Sequence, residues 1–131
     1  MVLDTSALVA ILLREPEHDA LAALLAGTED PLISAATLLE ASIVMQAKTG
    51  DAGVDALDVL LAAVSARCLA VDRAQALVAR DAYAHYGQGR SSAGLNFGDC
   101  FAYVLARARG RPLLFNGDGF SASDIDSATG A

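Results

Sequence analysis

Four carboxylates in this chain stand where a side chain can do chemistry. Asp4 closes the apolar run Met1-Val2-Leu3, Glu40 lies on a helical pattern that follows Leu32-Ile33-Ser34, and Asp118 follows Leu113-Leu114-Phe115. Asp99 opens the apolar helical pattern Asp99-Cys100-Phe101-Ala102-Tyr103. Three of them have a local explanation: Asp4 as the N-cap of the next helix, Asp99 as an acid complementing a helix dipole, Asp118 as turn chemistry in Asn116-Gly117-Asp118-Gly119. Glu40 resists one, because its helical neighbours Ala36, Thr37, Ile43 and Val44 form an apolar stripe, while Ser42, Gln46 and Thr49 form the polar face. A carboxylate on that stripe needs a partner, and no base is well placed to supply one. Gathering ionised carboxylates costs roughly 3 kcal/mol per pair at 5 Å and an effective dielectric near 20. A divalent cation reverses the sign. Oxygen ligands without His or Cys favour Mg²⁺ or Mn²⁺, which polarise phosphoryl groups and acidify water, the chemistry of phosphodiester hydrolysis.

The elements that must position these acids are short. Strand-sized runs at Val2–Asp4, Leu32–Ser34, Cys68–Val71 and Leu113–Phe115 alternate with helical patterns at about Thr5–Leu13, Glu17–Ala26, Ala35–Ala47, Ala52–Ala66, Arg73–Tyr86 and Asp99–Arg109. That alternation predicts an α/β domain with a mainly parallel sheet, in which ligands bind beyond the carboxyl ends of the strands. Pro16 suits a first helical turn, Asp51 and Asp72 suit N-caps, and Gly27, Gly50, Gly87 and Gly110 suit helix stops. Gly87–Gly98 is the one long irregular insertion, a candidate functional loop. The polar tail after Phe120 suits a short edge strand or a frayed end.

With 131 residues and 54% hydrophobic content, the chain fits a single domain over residues 1–131 with a real core. Nine Lys and Arg against sixteen Asp and Glu leave a net charge of −7, opposite to a protein that holds nucleic acid by bulk charge. Cys68 and Cys100, lacking a CxxC spacing, read as buried thiols in a reducing compartment. The apolar N-terminus carries Asp4 and no base before Arg14, unlike a signal peptide, and no charge-free apolar run is long enough to span a bilayer. The expectation is a cytoplasmic protein without a membrane partner.

The opening MVLDTSALVAILLREPE, the SAATLLEASIVM segment, the run ending GLNFGDCFAYVLARARGRPLLF and the closing NGDGFSASDI resemble a PIN-domain ribonuclease of the VapC toxin type. The resemblance covers nearly the whole chain, and its most specific part is Gly-Leu-Asn-Phe-Gly-Asp-Cys before an apolar helix. It implies an α/β/α sandwich that cleaves RNA endonucleolytically with Mg²⁺, or Mn²⁺ as substitute. Asp4 and Asp99 are then the principal metal ligands, and Glu40 is a third member of the acidic cluster, with a route through a metal-bound water. Asp118 falls where a fourth acid is usual, but Gly119 stands where relatives often carry another, which leaves that position open. Thr5 and Ser6 match a hydroxyl pair that orients Asp4 or the scissile phosphate, or caps the helix. The resemblance further implies a VapB-type antitoxin and a homodimer in which two acidic sites share one groove.

For an acidic protein, the remaining grip on RNA must come from scattered bases. Arg90, in the Gly-rich loop upstream of Asp99, is the best placed, whereas His85 and Tyr86 fit structural roles better than base stacking. Two other readings compete. A phosphoacceptor switch requires a lysine after a late strand, and Lys48 is the sole lysine. A catalytically weak PIN-like scaffold that binds RNA or a partner is the alternative that Gly119 keeps open.

Overall fold

The computed structural model describes residues 1–87, 94–120 and 123–130. Four strands, β1 (Val2–Leu3), β2 (Leu32–Ser34), β3 (Arg67–Leu69) and β4 (Leu113–Leu114), alternate with six helices: α1 (Thr5–Leu12), α2 (His18–Ala26), α3 (Ala35–Thr49), α4 (Asp51–Ala63), α5 (Arg73–Tyr86) and α6 (Phe97–Arg109). The strands pair in parallel in the order β3-β2-β1-β4, with Val2 opposite both Leu32 and Leu113.

Strand periodicity explains the layers, since successive side chains point to opposite faces. Val2, Leu32 and Leu113 pack beneath Ala102, Leu105 and Ala106 of α6. Leu3, Ile33 and Leu114 pack instead with Leu8 of α1, Leu21 and Leu25 of α2, Ala41 of α3 and Leu57 of α4. The result is the α/β/α sandwich that the resemblance implies, built on the parallel sheet that the alternating pattern predicts.

The chain runs outward from β1 to β2 to β3, then returns to lay β4 on the other side of β1. The topological switch point therefore lies between β1 and β4, where backbone bonds from Asp4 N–H to the Leu114 carbonyl (3.0 Å) and Val2 N–H to Pro112 O (2.9 Å) join the strands. Crevices of open parallel sheets form at such points.

Several local expectations need correcting. Pro16 precedes α2 rather than entering its first turn, because a turn closed by His18 N–H to Glu15 O delays the helix to His18. Gly50, with φ of 70°, both ends α3 and caps α4, so Asp51 is the first residue of that helix and not its cap. Asp72 does cap α5, accepting from the Gln75 amide at 2.8 Å. Cys68 is exposed on β3, the edge strand of the sheet; Cys100 is buried. The tail returns to the sheet as a parallel bridge between Leu113 and Ser127.

Candidate active site

Asp4 leaves β1 at the switch point and is 3% exposed. It caps α1: its Oδ2 accepts from the Ser6 amide at 3.0 Å and the Ser6 hydroxyl at 2.6 Å. Its Oδ1 is buried without a hydrogen-bond partner among the described residues. Burial raises the Asp4 carboxyl to about 6; the Ser6 hydrogen bonds oppose the rise, and the charges of Asp99 and Glu40 add to it.

Asp99 reaches the same place from the first turn of α6. There the Asn96 side chain accepts from the Asp99 amide (2.9 Å) while Asp99 Oδ2 accepts from the Asn96 amide (3.0 Å), a reciprocal capping box. Its carboxyl is also raised, first by burial and further by Glu40, with the Asn96 amide opposing. Each of Asp4 and Asp99 thus caps its helix and also faces a second acid. The local expectations are met: Asp4 is the N-cap of α1 and Asp99 an acid in the first turn of α6.

Glu40 stands on α3 between them. Its Oε1 accepts from the Thr5 hydroxyl at 2.5 Å, across 35 residues of sequence. The α6 backbone presses against its other oxygen, where a β-carbon at Gly98 would fall 1.9 Å from Glu40 Oε2. The stripe that singled out Glu40 is only partly core, however: Thr37 is buried, Ala36 and Val44 are half-buried and Ile43 is bare. Thr37, Ala41 and Met45 face inward, while Ile43 is 59% exposed. A helix that is apolar on more than one side gives a periodicity unable to say which stripe is covered.

The hydroxyl pair divides its work: Thr5 holds Glu40, and Ser6 holds Asp4. The Ser6 oxygen also accepts from the Asn116 amide at 3.0 Å, which fixes the turn after β4 against the start of α1. Asp118 lies on that turn, exposed, and is not among the charges acting on Asp4. Arg90 lies outside the described residues. Tyr86 packs against the core, 6.0 Å from the Tyr103 ring, and His85 Nδ1 is 2.9 Å from the Asp81 carbonyl. Two contributors escaped sequence reasoning: Gly98 as a seat for Glu40, and Asn116 as a brace for Ser6. The Gly-Asp step at the head of α6 was the available signal for the first.

No salt bridge reaches Asp4, Glu40 or Asp99 among the described residues. Nor do three His, Cys, Asp or Glu side chains among them close into a ready metal cage. The donor set still fits a hard cation that takes one or two carboxylates and keeps its waters. The orphaned Asp4 Oδ1 is a buried acceptor facing two further acids with no counter-charge.

This geometry agrees with what similar proteins are. The PIN-domain family model matches residues 1–125. The chain belongs to the PIN-domain family. A ribonuclease VapC of Mycolicibacterium smegmatis is 47% identical over 125 residues, covering 95% of this chain and 97% of that protein. Ribonuclease VapC30 of Mycobacterium tuberculosis is 46% identical, covering 95% of each. The crystal structure of M. tuberculosis VapC20, described as a toxin that cleaves the sarcin-ricin loop, superposes with a TM-score of 0.78 at 18% identity, covering 95% of both chains. That likeness shows the PIN fold. The VapC relatives at 46–47% identity place the chain in the VapC branch of the PIN domains.

Proposed function

We propose that residues 1–131 form a single PIN domain acting as a divalent-metal-dependent endoribonuclease, the toxin of a toxin-antitoxin pair. The observation that carries this is a buried Asp4 with an orphaned oxygen, facing Asp99 and Glu40 at the switch point of a parallel sheet, with no basic side chain among the described residues paired to any of them.

In this reading Asp4 and Asp99 hold Mg²⁺ or Mn²⁺, with Glu40 beside them, directly or through water. A bound ion supplies Lewis acidity toward a phosphoryl oxygen and makes water acidic enough to attack near neutral pH. The chain's own residues set the geometry. Ser6 fixes the Asp4 rotamer, and the Asn96 amide fixes Asp99. Thr5 and the bare Gly98 backbone aim Glu40 inward, where its carboxylate can take a proton from attacking water. Asp118, on the turn braced by Ser6 and Asn116, is the remaining acid of the proposal. Thr5, Ser6 and Arg90 are the substrate-binding residues of this reading, with Arg90 assigned to phosphate.

The relatives' names support RNA as substrate, and the VapC resemblance supports a VapB-type antitoxin and a homodimer as partners. No helix among the described residues is long and apolar enough to cross a membrane, which agrees with a proposed cytoplasmic location.

The test is cleavage of structured RNA by the purified chain in Mg²⁺, Mn²⁺ or EDTA. Cleavage is expected with either ion and absent in EDTA, and Asp99→Asn is expected to lower the rate at least about a hundredfold. RNA retained but uncut under every condition would favour the scaffold reading instead.

A further inference from the structure

At the head of α6, two residues before Asp99, Phe97 is 76% exposed. It meets Phe101 edge to face, with centroids 4.9 Å apart and planes at 83°. An edge-to-face contact occupies at most one face of either ring, so Phe101 steadies Phe97 and leaves it a bare π-face. The ring stands between two open grooves. One runs between α3 and α6 past Gly98 and Glu40; the other, of about 590 Å³, runs between α5 and α6 past Arg80, Tyr83 and Phe101.

The second groove has the composition of a nucleotide site. Two of the chain's four Phe and one of its three Tyr line it, in a sequence without Trp. The partly exposed Tyr83 ring rests on the Gly87 backbone, where a β-carbon would fall 2.8 Å from it. Arg80 is exposed, is the one charged side chain among the described residues lining this groove, and makes no ion pair among them. Flat aromatic faces for bases beside a guanidinium for phosphate are the means by which single-stranded nucleic acid is held. On a chain of net charge −7, a groove whose lone charge is positive selects an anion.

We propose that this groove holds an unpaired nucleotide of the RNA, its base stacked on Phe97 and its phosphate on Arg80, next to the phosphodiester presented to the acids. This role for Phe97 rests on the nuclease reading given above, and it narrows the substrate to RNA with an unpaired base beside the cleaved bond. Gly98, the seat of Glu40, joins Phe97 to Asp99, so a strand crossing the head of α6 meets ring and acids together. A base inside a duplex has its faces covered by its neighbours, and only a single strand, loop or bulge offers one for stacking.

Because the chain has no Trp, Phe97→Trp installs a single fluorescent reporter at the groove. In EDTA at low salt, where cleavage plays no part, the emission of that variant is expected to be quenched by an unpaired oligoribonucleotide and not by the same strand in a duplex. Phe97→Ala and Phe97→Leu alter an exposed position and are expected to keep the fold by circular dichroism. Both are expected to bind the unpaired strand about tenfold more weakly than the wild type, by anisotropy of a labelled RNA. Arg80→Gln is expected to reduce the slope of log affinity against log salt by about 0.7. Full affinity of Phe97→Leu means that apolar surface alone is read, as by a protein segment, and overturns stacking. Equal binding of paired and unpaired RNA, or none by the wild type, overturns it as well. Should the wild type cut no RNA in Mg²⁺ while the Phe97 variants still lose the unpaired strand, the nuclease reading fails and the stacking groove stands. Should it cut RNA while those variants bind normally, the nuclease reading stands and the groove is overturned.

Discussion

Two aspartates at opposite ends of the same sheet meet opposite fates. Asp30, in the loop before β2, accepts from Arg67 Nε at 3.1 Å and Nη2 at 2.9 Å, and from Arg111 Nη2 at 3.1 Å. Its carboxyl is held below the usual aspartate range, chiefly by the Arg67 hydrogen bonds. Asp4, at the other end, has hydroxyl and amide donors and no cation, and burial raises it to about 6. Arg67 heads β3 and Arg111 stands just before β4, so Asp30 fastens the amino ends of two non-adjacent strands. At the carboxyl ends the described residues supply acids with no base paired to them. The contrast separates a carboxylate that contributes to the fold from one left wanting an external charge.

Asp4→Asn in EDTA tests that contrast most strongly. Asn keeps the capping oxygen and removes the buried charge. A raised folded-state pKa means that the native state holds its proton longer than the unfolded chain, so this group's stability contribution is fully present below about pH 4 and is lost as pH rises through about 6. The variant is expected to exceed the wild type by on the order of 2 kcal/mol at pH 7. In urea melts the gap should close near pH 4. A variant less stable than wild type at pH 7 would show that the charge is compensated within the chain.

Gly98→Ala is the next effect. Its β-carbon would occupy the place of the Glu40 carboxylate, displacing that group from Thr5. Cleavage is expected to fall about tenfold with the thermal transition nearly unchanged, as for a misplaced catalytic group. An unaltered rate would remove Glu40 from the reaction. Asp30→Asn should have the smallest effect, a modest loss of melting temperature that vanishes in high salt, since the Arg67 and Arg111 pairs are solvent-screened. Cleavage by that variant should match the wild type.

Much of this was legible from one sequence. The doublets Val2-Leu3, Ile33 beside Leu32, and Leu113-Leu114 feed two cores, and the alternation of runs predicts the parallel sheet, while the layers came only with the family resemblance. Asp4 and Asp99 were readable because strand ends and helix starts are local features. What sequence could not supply was contact across long separations: Thr5 with Glu40, Gly98 with Glu40, and Ser6 with Asn116 across 110 residues. Nor could it tell covered apolar residues from bare ones. Ile43 and Met45 share a helix and a character, yet Met45 is buried and Ile43 is exposed. Cys68 was misjudged for the same reason, since the position of β3 at an edge is decided by the other strands.

The Ser6 hydroxyl is a rivet between the chain's beginning and its last strand. Its proton goes to Asp4 and its lone pair receives the Asn116 amide, so the first acid is aligned by backbone synthesised more than a hundred residues later. A nascent chain still lacking that final segment carries every acid of the candidate site but Asp118, without the clasp that orients the first of them. The alignment of Asp4 through Ser6 and Asn116 is therefore completed late in translation, with the closing strand.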